Sequence, residues 1–250
     1  VVTPSWANKE VKTHADEKGC WELQITTPAA SFEEYTLTLT DGEQSVTLQH
    51  LLIGEVWLCA GQSNMVMPLN GFDYCPISDS NNVIAPNHPG IRMVTIKPTV
   101  KLSPQEYAEG SWQQPTTENA PKFSAAAYHY ALTLQRTLQI PIGVITCAWG
   151  GSRVEGWLPK EILQTYKDED LTLIGSDKTP VYLQSMLMYN GILYPCHKYT
   201  IKGFIWYQGE SNVRSSRTYA ERLATMVKHW RSIWKQGDLP FYYVETVPFA

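Results

Sequence analysis

Five short stretches of this chain are apolar almost without interruption, and polar residues follow them: 53–60, 91–97, 142–148, 202–208 and 240–247. A strand wetted on one face alternates apolar and polar side chains. A strand that does not alternate is buried on both faces, as in a parallel sheet covered by helices. Helical patterns fill the intervals. Over 124–139, Ala127, Tyr130, Ala131, Leu134 and Leu138 fall on one stripe, and Pro141 closes the run. Over 216–235, Tyr219, Leu223, Met226, Trp230, Ile233 and Trp234 recur at helical spacing, with Ser215 or Ser216 as cap and Gly237 past the end. A weaker helical pattern covers 181–193, and 66–90, rich in Asn, Asp and Pro, reads as loop. Strands alternating with helices in this way predict a three-layer αβα sandwich around a parallel sheet.

Residues 1–52 follow a different period. Trp21, Leu23 and Ile25 alternate with polar neighbours, Tyr35, Leu37 and Leu39 do so again, and Val46 and Leu48 follow the Asp41-Gly42 turn. Period-two alternation around such a turn marks strands with one buried face. The chain therefore divides into a small β-rich N-terminal domain, 1–52, and an α/β domain, 53–250. The first is too small to be stable alone and is expected to pack on the second.

Composition narrows the partners. Lys and Arg number 20 against 24 Asp and Glu, a net charge of −4, which argues against nucleic acid or an anionic membrane surface. No apolar run approaches the ~20 residues of a membrane span. The cysteines, Cys20, Cys59, Cys75, Cys147 and Cys196, are odd in number and lack metal-ligand spacing, so most of them read as small buried hydrophobes. The chain opens on Val1 rather than Met, which reads as a processed start and carries the expectation of a secreted or periplasmic protein. The unusual count is aromatic: 9 Trp and 14 Tyr suit stacking on sugars and equally suit a Trp-rich core.

In open α/β sheets ligands bind beyond the carboxyl ends of the strands. The first such strand runs into Gly61-Gln62-Ser63-Asn64, the third into Trp149-Gly150-Gly151-Ser152, and the fourth into Gln208-Gly209-Glu210-Ser211-Asn212. Three polar, glycine-containing turns converging on one cleft would provide an activated serine and an oxyanion hole. Ser63 is the candidate nucleophile; the competing reading is a helix N-cap. Gly150 and Gly151 let backbone N–H groups approach a ligand, or simply make a tight turn. Gln208 and Glu210 are candidates for an oxyanion donor and an orienting acid, or ordinary polar strand ends. Gln62, Asn64, Trp149 and Asn212 are the candidates for substrate contact. Arg153 and Glu155, just after the glycine turn, form a structural ion pair or touch substrate.

Read jointly, GEVWLCAGQSNMVMPL at 54–69, PIGVITCAWGGSRVEGW at 141–157, YNGILYP at 189–195 and IKGFIWYQGESN at 201–212 resemble the SGNH (GDSL-like) hydrolases, and within them the sialate O-acetylesterase group of carbohydrate esterases. The resemblance implies a flavodoxin-like αβα sandwich preceded by a small β-domain. It implies hydrolysis of O-acetyl esters on carbohydrates, plausibly 9-O-acetyl sialic acid, without metal or organic cofactor. Carried over by motif, Ser63 is the nucleophile, and Ser63 N–H, a glycine N–H of the WGG turn (Gly150, with Gly151 as alternative) and the Gln208 side chain hold the oxyanion. For the triad acid the resemblance leaves two choices: Glu210, as some relatives use this glutamate, or an aspartate three residues before the catalytic histidine, as others do.

The general base should be a histidine in a D-x-x-H-like motif well beyond the fifth strand, and no such motif follows that strand here. His14, His50, His88, His129, His197 and His229 all stand elsewhere. The expectation is a fragment of a longer enzyme, since base assistance is worth about 10²–10⁴ in rate. Two other readings stay open: an esterase for acetylated xylan or another polysaccharide, and a carbohydrate-binding relative that has lost its base.

Overall fold

The computed structural model describes residues 1–7, 9–78 and 88–246. It opens with a three-stranded antiparallel sheet, β1 (Val2–Pro4), β2 (Ser31–Thr40) and β3 (Ser45–Ile53), in the order β1-β2-β3. The Asp41-Gly42 turn joins β2 to β3 as its sequence demands. The Trp21–Ile25 alternation, expected as a strand, is irregular backbone with Trp21 51% exposed. The segment pairs with none of the three strands of this sheet. Burial on this sheet is sparse: Val2 and Tyr35 are buried, whereas Val46 and Leu48 are exposed. Its contact with the rest includes an ion pair from Arg92 to Glu34 at 3.3 Å.

The second sheet is parallel and holds the five anticipated strands. They are β4 (Glu55–Gly61), β7 (Ile91–Thr95), β8 (Ile142–Ala148), β9 (Gly203–Tyr207) and β10 (Phe241–Tyr243), in the order β10-β9-β4-β8-β7. The fifth strand is shorter than the apolar run suggested, and Val247 lies outside the described residues. In β4, Leu58 and Ala60 enter one core and Trp57 and Cys59 the other. That division explains why the strand shows no alternation.

Each face is covered. Helix α1 (Ser63–Val66) follows β4, and α2 (Ala125–Leu138) packs its Ala127, Tyr128, Ala131 and Leu132 against the Trp57 side. Ser124 caps α2, its hydroxyl accepting from the Ala127 N–H at 3.2 Å. Helix α3 (Lys160–Leu163) and the long α4 (Ser216–Trp234) cover the Leu58 side, where Met226, Trp230 and Trp234 are buried. Trp57, Trp157, Trp206, Trp230 and Trp234 are all core residues, so most of the tryptophan count is packing. Cys59, Cys147 and Cys196 are buried too, and burial pushes the Cys59 thiol up to about 12.

Two local expectations change. The 66–90 segment contains a small ladder, β5 (Gly71–Phe72) with β6 (Cys75–Pro76), and 79–87 lie outside the described residues. The pattern over 181–193 is not one helix: a 3₁₀ turn at Val181–Leu183 is separated from a π-helical turn at Tyr189–Leu193. Met186, at φ +70°, interrupts the run. Among the described residues no helix is long and apolar enough to cross a membrane.

Candidate active site

The strand order brings the three motif turns together. The first strand of the parallel sheet is central, flanked by β8 and β9, so the turns after all three meet at one carboxyl edge. Backbone bonds lock them there. Trp149 N–H donates to Gly61 O at 3.0 Å, and Gln62 N–H donates to Tyr207 O at 3.0 Å. Gly61 has φ +148°, and a Cβ there would sit 2.2 Å from Tyr207 O, so a side chain would push the strands apart. Glycine in the GQSN motif is thus a packing requirement.

Ser63 opens α1, behind an extended Gln62. It is half-buried, and among the described residues nothing hydrogen-bonds to its hydroxyl. Its N–H has no acceptor there either, nor do those of Gly150 and Gly151. The two glycines differ. Gly151 has φ +75°, and an added Cβ would meet the Tyr182 ring at 2.8 Å. An added Cβ on Gly150 would meet nothing within 4 Å. Gly151 is therefore required by the turn itself, whereas the space in front of Gly150 is open to a ligand.

Glu210 stands beside the serine turn. Its Oε1 accepts from Asn64 Nδ2 at 2.6 Å, and its Oε2 is buried with no partner among the described residues. A buried carboxylate oxygen without a donor is costly and calls for an N–H or O–H. No described histidine supplies it. His229 meets the Tyr189 hydroxyl at 2.8 Å, His50 pairs with Glu34, and His197 Nδ1 faces Tyr194 O. His88, three residues before β7, lies at the opposite edge of the sheet.

The remaining candidates hold the site from beneath. Gln62 is buried, its Oε1 accepting from the N–H groups of Gly209 and Ser211, both at 3.3 Å. Gln208 Nε2 donates to Ser152 O at 3.0 Å and to Asn212 Oδ1 at 2.9 Å, which engages both amide hydrogens. Asn212, expected to meet substrate, is buried and fully engaged: Oδ1 accepts from Val154 N–H and Gln208, and Nδ2 donates to the Glu155 carboxylate and to Ser215 Oγ. Trp149 packs its partly buried ring on the core.

Beneath Asn212 lies a buried charge cluster. Glu155 has no exposed surface and accepts from Arg222, which is 2% exposed and also reaches Asp168 at 2.7 Å and Glu169 at 3.4 Å. Burial alone would lower the Arg222 pKa. The hydrogen bond that Arg222 donates to Glu155 and the surrounding carboxylates outweigh it, so the group is held above its usual value. Arg153 pairs with Glu169 at 2.7 Å, which makes Arg153 and Glu155 members of one structural network. The sequence reading missed Arg222, although a signal existed. Arg222 lies three residues after Tyr219 and four before Met226, so a charged residue stands on the apolar stripe of α4. A last brace comes from Tyr219, whose hydroxyl donates to Gln208 O at 2.8 Å. Burial pushes that phenol up to about 12, so it stays a donor.

Residues 53–249 match the family described as carbohydrate esterase, sialic acid-specific acetylesterase. Among curated proteins, sialate O-acetylesterases of Pongo abelii and Homo sapiens are each 28% identical over 240 residues, covering 91% of this chain and 45% of their own length. Among solved structures, the carbohydrate acetylesterase XAC1771 from Xanthomonas citri superposes with a TM-score of 0.83 at 29% identity, over 97% of this chain and 52% of that one. The chain thus spans about half the length of the relatives it matches. With the match running through all three motif turns, the chain belongs to the sialic acid-specific acetylesterase family of carbohydrate esterases.

Proposed function

We propose that the protein removes O-acetyl groups from carbohydrates by serine catalysis, with O-acetylated sialic acid the foremost substrate. The observation that carries this is the pairing of an unengaged Ser63 hydroxyl with unengaged N–H groups of Ser63 and Gly150 at one sheet edge. Ser63 Oγ attacks the acetyl carbonyl carbon as its proton passes to a base. The oxyanion accepts from Ser63 N–H and Gly150 N–H, each such donor being worth about 2.7–4 kcal/mol. The tetrahedral species collapses, the sugar hydroxyl leaves with the proton, and water then hydrolyses the acetyl-serine.

In this reading Gln208 does not donate to the oxyanion, because its amide hydrogens are committed to Ser152 and Asn212. It fixes the height of the glycine turn, and Gln62 and Asn212 likewise position the turns rather than touch substrate. The base is a histidine outside the described residues, and Glu210 Oε2 accepts its other ring N–H. The α/β unit of this scheme comprises 53–250, with 1–52 as a β-rich domain packed on it. Acetylated glycan is the partner, the net charge of −4 disfavours nucleic acid and anionic membranes, and the enzyme works outside the cytoplasm, where glycans are displayed. Acetate release from 9-O-acetyl N-acetylneuraminic acid by the full-length protein tests the reading; release that survives Ser63→Ala would sink it.

A further inference from the structure

The glycine turn is flanked by an aromatic ring with no role in the acyl-transfer scheme. Tyr182 lies against Gly151, with Cδ2 and Cε2 at 2.8 and 3.1 Å from where a Cβ would stand. The side chain is nonetheless 41% exposed, and neighbouring Val181 is 39% exposed. One side of the ring thus rests on the turn that carries the oxyanion N–H, and the rest faces solvent.

Isolated exposed aromatics are common and need no explanation. The anchoring of this one sets it apart. Leu183 and Gln184, the next residues, are pinned by polar groups. Arg153 Nε donates to Leu183 O at 3.0 Å, while the same guanidinium pairs with Glu169 and reaches Ser185 Oγ at 3.3 Å. Gln184 is buried and makes three bonds, to Ser176 O, Thr179 O and Gly175 N–H, each at 2.7–2.8 Å. Leu183 N–H closes the turn on Pro180 O at 2.9 Å. A part-buried ion pair and a glutamine bonded at both ends of its amide therefore stiffen a backbone whose aromatic side chain belongs to neither core cluster. A rigid mount and an open ring beside a reacting centre form a preorganised contact for a ligand with a flat apolar face.

We propose that Tyr182 is the platform on which the pyranose ring of the acetylated sugar stacks through its C–H face, with Arg153 as the residue that positions it. The proposal rests on the esterase reading and names the part of the substrate that reading leaves unbound. It also gives the Arg153–Glu169 pair a task beyond folding.

The test compares two esters in the full-length protein: 9-O-acetyl N-acetylneuraminic acid, and ethyl acetate, which has no sugar to stack. Tyr182→Ala is expected to raise KM for the sugar ester about tenfold with kcat nearly unchanged, and to leave ethyl acetate hydrolysis within about twofold. Tyr182→Phe retains the wild-type KM. Arg153→Gln shifts KM in the same direction, and Arg153→Lys restores part of it. An unchanged KM in Tyr182→Ala, or equal loss on both esters, overturns the platform. If the wild type cleaves neither ester, the esterase reading fails on its own account. Calorimetric titration with N-acetylneuraminic acid then decides the platform: binding lost in Tyr182→Ala supports it, and binding that is absent or equal in both proteins overturns it.

Discussion

The two ends of the parallel sheet are built on opposite plans. At the amino end, a hollow of about 540 Å³ opens between the small antiparallel sheet and the strand starts, lined by Glu34, His50, Arg92, Trp112 and Tyr199 among others. Its charges are wet: His50 and Glu34 pair at 2.7 Å with side chains 72% and 50% exposed. At the carboxyl end, Gln62, Ser152, Gln208, Asn212, Glu155 and Arg222 are buried and bonded to one another or to the turns. Room alone does not mark the reactive end. It is marked by a few groups unengaged among the described residues, held on a buried polar floor whose members brace one another.

The largest expected effect isolates chemistry from that floor. Ser63→Ala should lower acetate release by roughly 10⁶, as for other serine nucleophiles, with no change in melting temperature, because the hydroxyl has no partner among the described residues. A melting shift of several degrees would mean that Ser63 belongs to the floor. Next, Arg222→Ala leaves Glu155 buried and uncompensated and should cost about 3–5 kcal/mol in denaturant unfolding. Glu34→Ala at the amino end should leave the unfolding midpoint in place; equal losses at the two ends would erase the contrast drawn here.

A smaller effect separates the two glycines of the turn. Gly151→Ala forces a left-handed conformation and a contact with Tyr182, costing about 1–2 kcal/mol of stability. Gly150→Ala should leave stability intact and lower kcat, since only a bound ligand competes for that space. The smallest effect is a pH dependence. Burial holds the His229 pKa below the ordinary 6.5, with a lesser opposing pull from Glu161. The unfolded chain then binds the proton more readily than the folded one. Stability should therefore be full above about pH 6.5 and fall as the pH drops from there to the folded value. A His229→Gln variant should show a shallower decline of melting temperature between pH 7 and 5; an unchanged slope would remove His229 from the account.

Much of this was legible in the chain. Unbroken apolar runs gave the five parallel strands, because burial on both faces erases alternation. Helices α2 and α4 stand where their stripes placed them, but α2 buries Tyr128 and Leu132 beside Ala127 and Ala131 and leaves Leu138 exposed, and α4 buries Arg222 with Met226, Trp230 and Trp234. The small sheet misled, since Trp21–Ile25 has the right period yet joins no strand and leaves Trp21 exposed. Within the site, the motifs located the turns but did not divide labour among their polar residues. Asn64 and Asn212 look alike in sequence. Only the packing of α4 shows that one faces the cleft side of Glu210 and the other closes a buried circuit to Glu155. Gln208 is the same lesson: its amide type suits a donor, yet its hydrogens are already directed at Ser152 O and Asn212 Oδ1.

The central position of β4 has a consequence for the order in which a nascent chain can become an enzyme. The strand that delivers Ser63 is translated long before both neighbours that clasp it, β8 and β9. Asn64 and Glu210, which join the serine turn to the acid, are separated by 146 residues. Contacts so distant in sequence close late and slowly. During synthesis Ser63 therefore emerges on an unpaired strand, with neither the glycine turn nor Glu210 beside it. Ser63, Gly150 and Glu210 come to one edge only once the fourth strand of the sheet is in place, so assembly of the proposed site is timed by topology.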